Sequence, residues 1–108
     1  MKNIKNKLYF LLLFFVTVEL YAQETFILNY EEVDIKKVTQ DIAQFSKKTI
    51  ILDPRVKGKI SIYSNATLDR DQVWNVFLRT IQVNGFSAIS DNGFVRIVPE
   101  NEATRDLN

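Results

Sequence analysis

The amino-acid sequence predicts an α+β domain in which two helices pack against small mixed β-sheets, in the order β-α-β-β-α-β-β. Two segments carry apolar residues at the three-and-four spacing of an amphipathic helix, and the segments around them alternate apolar and polar residues as strands do. An Asn-Gly pair between two apolar runs near the end is a strong hairpin signal. Helices that alternate with pairs of short strands in so small a chain favour this fold class.

The first strand is predicted over residues 25–30, because apolar and polar residues alternate there. Its buried face would hold Phe26, Leu28 and Tyr30. A strand at the start of the chain is suited to a sheet edge, which can accept a strand of a partner. The candidate partner-binding edge strand consists of Thr25, Phe26, Ile27, Leu28 and Asn29. Internal pairing of this strand, with the partner surface elsewhere, is the alternative.

The first helix is predicted to follow Asp34, whose carboxylate can cap it. Its apolar stripe consists of Ile35, Val38, Ile42 and Phe45. Polar and charged residues cover the remaining positions, so we expect one buried face.

A turn-forming, basic segment links the next two predicted strands, at residues 49–52 and 59–64. Alternation in the second strand turns Ile60 and Ile62 inward and Ser61 and Tyr63 outward. The candidate basic turn consists of Arg55, Lys57 and Lys59. It could hold an acidic partner or a phosphate, and the alternative is a solvated loop.

The second helix carries the clearest start and stop signals. Asp69 and Gln72 have the spacing of a capping box, and Asp71 suits the positive end of the helix dipole. The broad apolar stripe, which we expect to be deeply buried, consists of Val73, Trp74, Val76, Phe77, Leu78 and Ile81. Trp74 would become an interface residue if it faced outward. Gly85 is predicted to end the helix in a left-handed conformation, with Phe86 packed on the last turn.

The last two strands are predicted as a hairpin over residues 86–90 and 94–98, joined by Asp91-Asn92-Gly93. Pro99 is expected to stop the second of them. Residues 100–108 are polar and lack periodicity, which indicates a polar tail or the start of a linker.

Residues 1–22 have the layout of a secretory signal peptide. Three lysines lie within the first seven residues, an apolar run occupies residues 8–18, and Ala22 offers a small residue for cleavage before Gln23. The run is well short of the roughly 20 residues that a membrane-spanning helix needs. We therefore expect removal of this segment. A retained membrane tether is the alternative, because Leu20 stands where a small residue is preferred.

Residues 23–108 would remain, which allows one small domain, predicted over residues 23–99. Removal of three lysines and Glu19 takes the chain from 14 basic and 13 acidic residues to 11 and 12. This balance gives no electrostatic reason to expect nucleic acid as a partner. Without cysteine, the domain has no disulfide framework and must be stabilised by packing.

The sequence lacks the residue types of common catalytic and metal-binding chemistry: it has no histidine, no cysteine and no glycine-rich phosphate loop. The carboxylate pairs that remain are Glu31 with Glu32 and Asp69 with Asp71. We interpret the first pair as solvated and the second as a helix cap with its dipole partner. We therefore expect no enzyme activity, no cofactor and no small-molecule substrate. A deep pocket lined by Glu31, Asp34 and Asp53 would reopen that question.

Three stretches carry a family resemblance: residues 26–35, 51–62 and 76–99. The Asp-Pro-Arg-Val-Lys-Gly-Lys run at residues 53–59 is the most specific part. Together these stretches resemble the N-terminal periplasmic domain of a type II secretion system secretin, of the general secretion pathway protein D family. The resemblance covers nearly all of residues 23–99 in one order.

The resemblance implies a non-catalytic domain that hangs into the periplasm below an outer-membrane channel and docks to the inner-membrane platform protein. Neighbouring secretin subunits and exported cargo are the further partners that it implies. Members of the family continue into further periplasmic domains and a pore, so we expect either the first piece of a longer protein or a free-standing domain. A related fold in pilus secretins and in the signalling domain of TonB-dependent receptors leaves those functions as alternatives.

Overall fold

The computed structural model describes residues 23–101 of the 108-residue chain. The predicted signal peptide, with Ala22 at its end, and residues 102–108 of the predicted tail lie outside the described residues. The elements are β1 (Asn29–Asp34), α1 (Ile35–Ser46), β2 (Ile50–Leu52), β3 (Lys59–Tyr63), α2 (Arg70–Val83), β4 (Phe86–Asp91) and β5 (Phe94–Pro99). This order and the α+β class are those predicted from the sequence.

The strands of the described part form two separate sheets. β1 and β3 pair antiparallel as a two-stranded sheet. β5 is the central strand of the other sheet, where it runs parallel to β2 and antiparallel to β4. The basic segment between β2 and β3 therefore carries the chain from one sheet to the other.

Both helices and both sheets contribute to one apolar interior. The largest fully buried side chain is that of Phe77 in α2. Buried residues of this core cluster are Leu28, Ile35, Val38, Ile42, Val56, Ile60, Ile62, Val73, Phe77, Ile81, Val95 and Ile97. All of these residues lie between positions 28 and 97.

The two helices begin where their capping residues predict. The Asp34 carboxylate accepts a hydrogen bond from the Lys36 backbone N–H at 2.8 Å. At the start of α2, Asp69 Oδ1 accepts from the Gln72 N–H at 2.8 Å, and Gln72 Oε1 accepts from the Asp69 N–H at 2.9 Å. This reciprocal pair is the predicted capping box. Gly85, just beyond α2, has φ +84°, as its predicted left-handed conformation requires.

The apolar stripes of the helices differ in depth. In α1, Ile35, Val38 and Ile42 are buried and Phe45 is half-buried. In α2, full burial is confined to Val73, Phe77 and Ile81, which are spaced four residues apart, so the prediction of a broad, deeply buried stripe is wrong in its width. Trp74, Val76 and Leu78 are half-buried and pack against the core from its margin. Three residues at this spacing make a narrow stripe, because they stay on one side of the helix.

The predicted hairpin forms between β4 and β5. Asn92 and Gly93 have φ angles of +50° and +89°, and Asp91 lies opposite Phe94. Two successive residues with positive φ characterise the type I′ turn that Asn-Gly favours.

The first strand starts and ends later than predicted. Regular pairing begins at Asn29 and continues to Asp34, whereas Phe26 makes an isolated bridge to Leu68. Tyr30 lies opposite Ile62 and Val33 opposite Ile60, so two residues, Glu31 and Glu32, oppose Ser61 alone. This is a β-bulge, and it returns Val33 to the inner side after the alternation of the sequence has broken down.

Candidate docking surfaces

The candidate edge strand is held to the domain along one side. Phe26 exchanges two backbone hydrogen bonds with Leu68, of 2.7 and 2.8 Å, and the Leu28 carbonyl accepts from the Ser64 N–H at 2.8 Å. The Phe26 ring stacks on Phe45 with a centroid distance of 4.8 Å. The segment is thus tied to the residues around β3, and the described residues place no strand on the other side of β1.

The faces of this segment are those predicted from alternation. Phe26 and Leu28 point inward, and Leu28 is fully buried. Thr25, Ile27 and Asn29 are exposed. Ile27 keeps 66% of its surface accessible and so offers apolar area that a partner could cover.

Four residues form the outer face of the two-stranded sheet. Asn29 lies opposite Tyr63, and residues opposite one another in an antiparallel pair project to the same side of the sheet. Ile27 and Ser61 each lie two residues away along their strands and so share that side. We call the set Ile27, Asn29, Ser61 and Tyr63 the β1–β3 outer face. It carries two of the exposed large hydrophobic side chains, because Tyr63 is 67% exposed.

A hydrogen bond anchors β1 to the first helix. The Tyr30 hydroxyl donates to Asp41 Oδ2 at 2.9 Å, and Lys37 Nζ lies 2.9 Å from the other carboxylate oxygen of Asp41. Burial, followed by the Asp41 carboxylate, raises the pKa of the Tyr30 hydroxyl well above its ordinary value, so Tyr30 remains the donor at physiological pH. The β1–β3 outer face is therefore exposed on a sheet whose opposite side is held to α1 by this hydrogen bond.

The candidate basic turn does not present three equivalent charges. The Arg55 guanidinium binds the Asp53 carboxylate through two hydrogen bonds of 2.9 and 2.8 Å, and the Arg55 N–H adds a third of 2.8 Å. These bonds lower the pKa of the Asp53 carboxyl to about 2. Lys57 and Lys59 are exposed, and Lys59 lies opposite Asp34 at the end of the two-stranded sheet.

The turn itself is fixed by an apolar residue. Val56 is buried in the core, and its N–H donates to the Asp53 carbonyl at 2.9 Å. Gly58 has φ +126°, and its carbonyl accepts from the Ile35 N–H at 2.9 Å. The Asp-Pro-Arg-Val-Lys-Gly run therefore has structural reasons for its composition.

Trp74 has a mixed environment. Its ring contacts Phe77 at a centroid distance of 5.7 Å, and Lys48 Nζ lies 5.1 Å from the ring centroid. An ammonium group at this distance over a tryptophan makes a cation–π contact. Trp74 thus packs at the margin of the core.

The two carboxylate pairs noted in the sequence lie at a strand bulge and at a helix start. Glu31 and Glu32 are exposed at the bulge, Asp69 caps α2, and Asp71 lies in its first turn. One surface cleft is lined by Gln23, Glu24, Asp69, Arg70 and Asp71, and a second by Lys36, Thr39, Gln40, Ala43, Ile50 and Leu52. Neither cleft brings together Glu31, Asp34 and Asp53. Residues 23–101 hold no cluster of three or more potential metal ligands from histidine, cysteine, aspartate and glutamate.

Between residues 23 and 101, neither helix combines the length and the apolar character that crossing a bilayer demands.

Sequence reasoning missed two parts of these surfaces. The Asp53–Arg55 ion pair is signalled only by an Asp-x-Arg spacing across a proline, which is common in turns. That Ile27 and Tyr63 lie on the same face depends on the register of β1 against β3, which no local sequence pattern specifies.

Comparison with known proteins places this geometry in a family. Residues 28–97 match a family model described as GspD-like, N0 domain. Secretin XcpQ of Pseudomonas aeruginosa is 34% identical over 76 residues, which are 70% of this chain and 12% of the length of XcpQ. The chain therefore spans about an eighth of that relative.

Solved structures of secretins also match this chain. The structure of the N0 domain of the type II secretin from enterotoxigenic Escherichia coli superimposes with a TM-score of 0.67 and 29% identity, over 73% of this chain and 99% of that one. The outer membrane complex of the Klebsiella pneumoniae type II secretion system, which contains PulD, PulS and the PulC HR domain, matches with a TM-score of 0.59 and 31% identity over 65% of this chain and 12% of that one. The chain belongs to the family of GspD-like N0 domains, the N-terminal domains of type II secretion secretins.

Proposed function

We propose that this domain is a non-catalytic docking module of a type II secretion outer-membrane secretin. It binds the inner-membrane platform protein of the secretion system in the periplasm, after the signal peptide has been removed. The observation that carries the proposal is the β1–β3 outer face, which exposes Ile27 and Tyr63 on a strand anchored from behind.

The physical argument rests on exposure. An isoleucine and a tyrosine that both keep about two thirds of their surface in water gain free energy when a partner covers them. Asn29 and Ser61 between them offer hydrogen-bonding groups that give such a contact specificity. Because β1 has a strand on one side only, its other edge can also receive a strand of the partner.

The related PulD supports the choice of partner, because its complex includes the PulC HR domain. The match to a GspD-like family favours type II secretion over a pilus secretin or a TonB-dependent receptor. Lys59 and Asp34 at one end of the outer face could add polar contacts at its rim.

Isothermal titration calorimetry tests the proposal, with residues 23–108 titrated by the periplasmic segment of the platform protein from the same organism. We expect binding in the micromolar range. Ile27→Asp and Tyr63→Ala should each weaken it at least tenfold, about 1.4 kcal/mol. Both side chains are exposed, so neither change should lower the melting temperature appreciably.

Val83→Asp is the matched control, since Val83 is 87% exposed at the end of α2 and lies outside the outer face. It should bind like the unchanged domain. Absence of binding at high micromolar concentration would remove the platform protein as partner. Equal weakening by Val83→Asp would remove the outer face as the site.

A further inference from the structure

A second surface lies on the other sheet, between α1 and the edge strand β2. This groove has a volume of about 340 Å³ and is lined by Lys36, Thr39, Gln40, Ala43, Ile50 and Leu52. The four helical residues follow the three-and-four spacing of one helix side. No residue of β5 or β4 lines the groove, so it opens at the free side of β2.

The backbone of β2 presents hydrogen-bonding groups to this groove. The Thr49 carbonyl accepts from the Val95 N–H at 2.9 Å, and the Asp53 N–H donates to the Ile97 carbonyl at 3.0 Å. Successive residues of a strand direct their N–H and C=O groups to opposite sides. Ile50 and Leu52 therefore turn theirs away from β5, where the described residues supply no further strand.

Thr39 adds a polar group beneath this edge. The residue is only 4% exposed, and its hydroxyl has no hydrogen-bond partner among the described residues. A buried hydroxyl without a partner is unfavourable, so such groups usually have one. A ligand in the groove would supply it after a change of the Thr39 side-chain rotamer.

The charge of the groove is one-sided. Lys36 is exposed at its rim, and the structure gives its ammonium no ion pair within residues 23–101. No carboxylate lines the groove. The electrostatic complement of this rim is an acidic side chain.

We propose that the β2 edge accepts an extended, carboxylate-bearing segment of a partner protein as a fourth strand. Its backbone pairs with the N–H and C=O groups of Ile50 and Leu52, and one of its polar side chains reaches Thr39. Its acidic side chain lies against Lys36. Strand addition of this kind obtains affinity from main-chain hydrogen bonds and specificity from the groove.

This surface is separate from the β1–β3 outer face, because β1 and β2 belong to different sheets. The proposal for the β2 edge therefore stands or falls independently of the platform protein as partner.

The test uses residues 23–108, which include every residue of the core cluster named above. A phage library of random decapeptides is selected on this domain, and the enriched peptides are synthesised. We expect enrichment of aspartate or glutamate, depletion of proline at the centre, and at least tenfold slower hydrogen exchange at the Ile50 and Leu52 amides on binding. The peptide amides form two alternating sets, of which only one faces β2 in a paired strand. N-methylation of that set should abolish binding, and N-methylation of the other set should not.

Charge reversal separates the groove from general electrostatics. Lys36→Glu should weaken the selected peptides at least tenfold, whereas Lys57→Glu, an exposed lysine outside the groove, should change binding less than twofold. Thr39→Val, which removes only the hydroxyl, should weaken binding and keep the fold.

Three results would overturn the proposal. The library could enrich no peptide, or the enriched peptides could protect amides elsewhere in the domain. The Ile50 and Leu52 amides could also become protected at high protein concentration without peptide, which would identify a second copy of the chain as the occupant.

Discussion

Truncation of Phe77 to alanine measures how much of the fold depends on one ring. Phe77 is fully buried in the core cluster, and its ring lies 5.7 Å from that of Trp74, centroid to centroid. Phe77→Ala removes the ring and leaves a cavity in the core cluster. Changes of this kind cost about 3 to 5 kcal/mol, as the sum of a lost transfer free energy and a cavity contribution.

The structure favours the upper half of that range. The start of α2 is fixed by the capping box. Just beyond its end, the Gly85 carbonyl accepts a hydrogen bond from the Glu100 N–H at 3.0 Å, which continues the pairing of β4 with β5. The helix therefore cannot easily move inward to fill the cavity. A domain of this size has a free energy of unfolding of about 4 to 12 kcal/mol. The variant should lose a large share of it, and its melting temperature should fall by about 16 to 40 °C.

Urea unfolding of residues 23–108, followed by far-ultraviolet circular dichroism and by the fluorescence of the single tryptophan, Trp74, gives the measurement. Val83→Ala on the same helix is the control and should stay within about 0.5 kcal/mol, because Val83 is exposed. Phe77→Leu, at about 1 to 3 kcal/mol, keeps the test quantitative if the alanine variant does not fold. A cost below 1 kcal/mol for Phe77→Ala would show that the burial assigned to α2 is wrong.

Three further predictions concern local interactions. Asp69→Ala removes half of the capping box and should cost about 0.5 to 2 kcal/mol by urea unfolding, whereas Asp69→Asn should cost less. Gly93→Ala forces a side chain into φ +89° and should cost about 1 to 2 kcal/mol by thermal unfolding. Arg55→Gln should return the pKa of the Asp53 carboxyl from about 2 toward 3.8 in an NMR titration. Because that pKa is lowered by folding, the pair stabilises the domain above about pH 4, and this stabilisation is lost between pH 4 and pH 2. The glutamine variant should show less of this acid dependence, because the backbone N–H of residue 55 still bonds the carboxylate.

Much of the fold could be predicted because its signals are local. Asp69 and Gln72 form a capping box within one helical turn, and Asn92 with Gly93 specifies a hairpin without reference to the rest of the chain. The bulge at Glu32 could not be predicted, because it depends on which residue of β3 faces it.

The candidate surfaces were predictable only where they depend on local alternation and not on how strands pair. Alternation alone places Ile27 and Tyr63 outward, yet only the antiparallel register of β1 and β3 makes them neighbours on one face. The sequence pattern of β2 likewise does not reveal that Ile50 pairs with Val95 in parallel, and so does not reveal the groove beside Thr39. Whether partners use these surfaces stays a prediction.

The bulge in β1 affects how identical copies of the chain can associate. Two glutamates are crowded opposite one serine, and the Glu32 N–H is occupied by the Ser61 hydroxyl at 2.9 Å. Such a distortion twists a strand and interrupts the regular row of groups along which identical molecules would stack into fibrils. Because Ile27 is exposed close to the start of that strand, the bulge protects the domain against edge-to-edge aggregation.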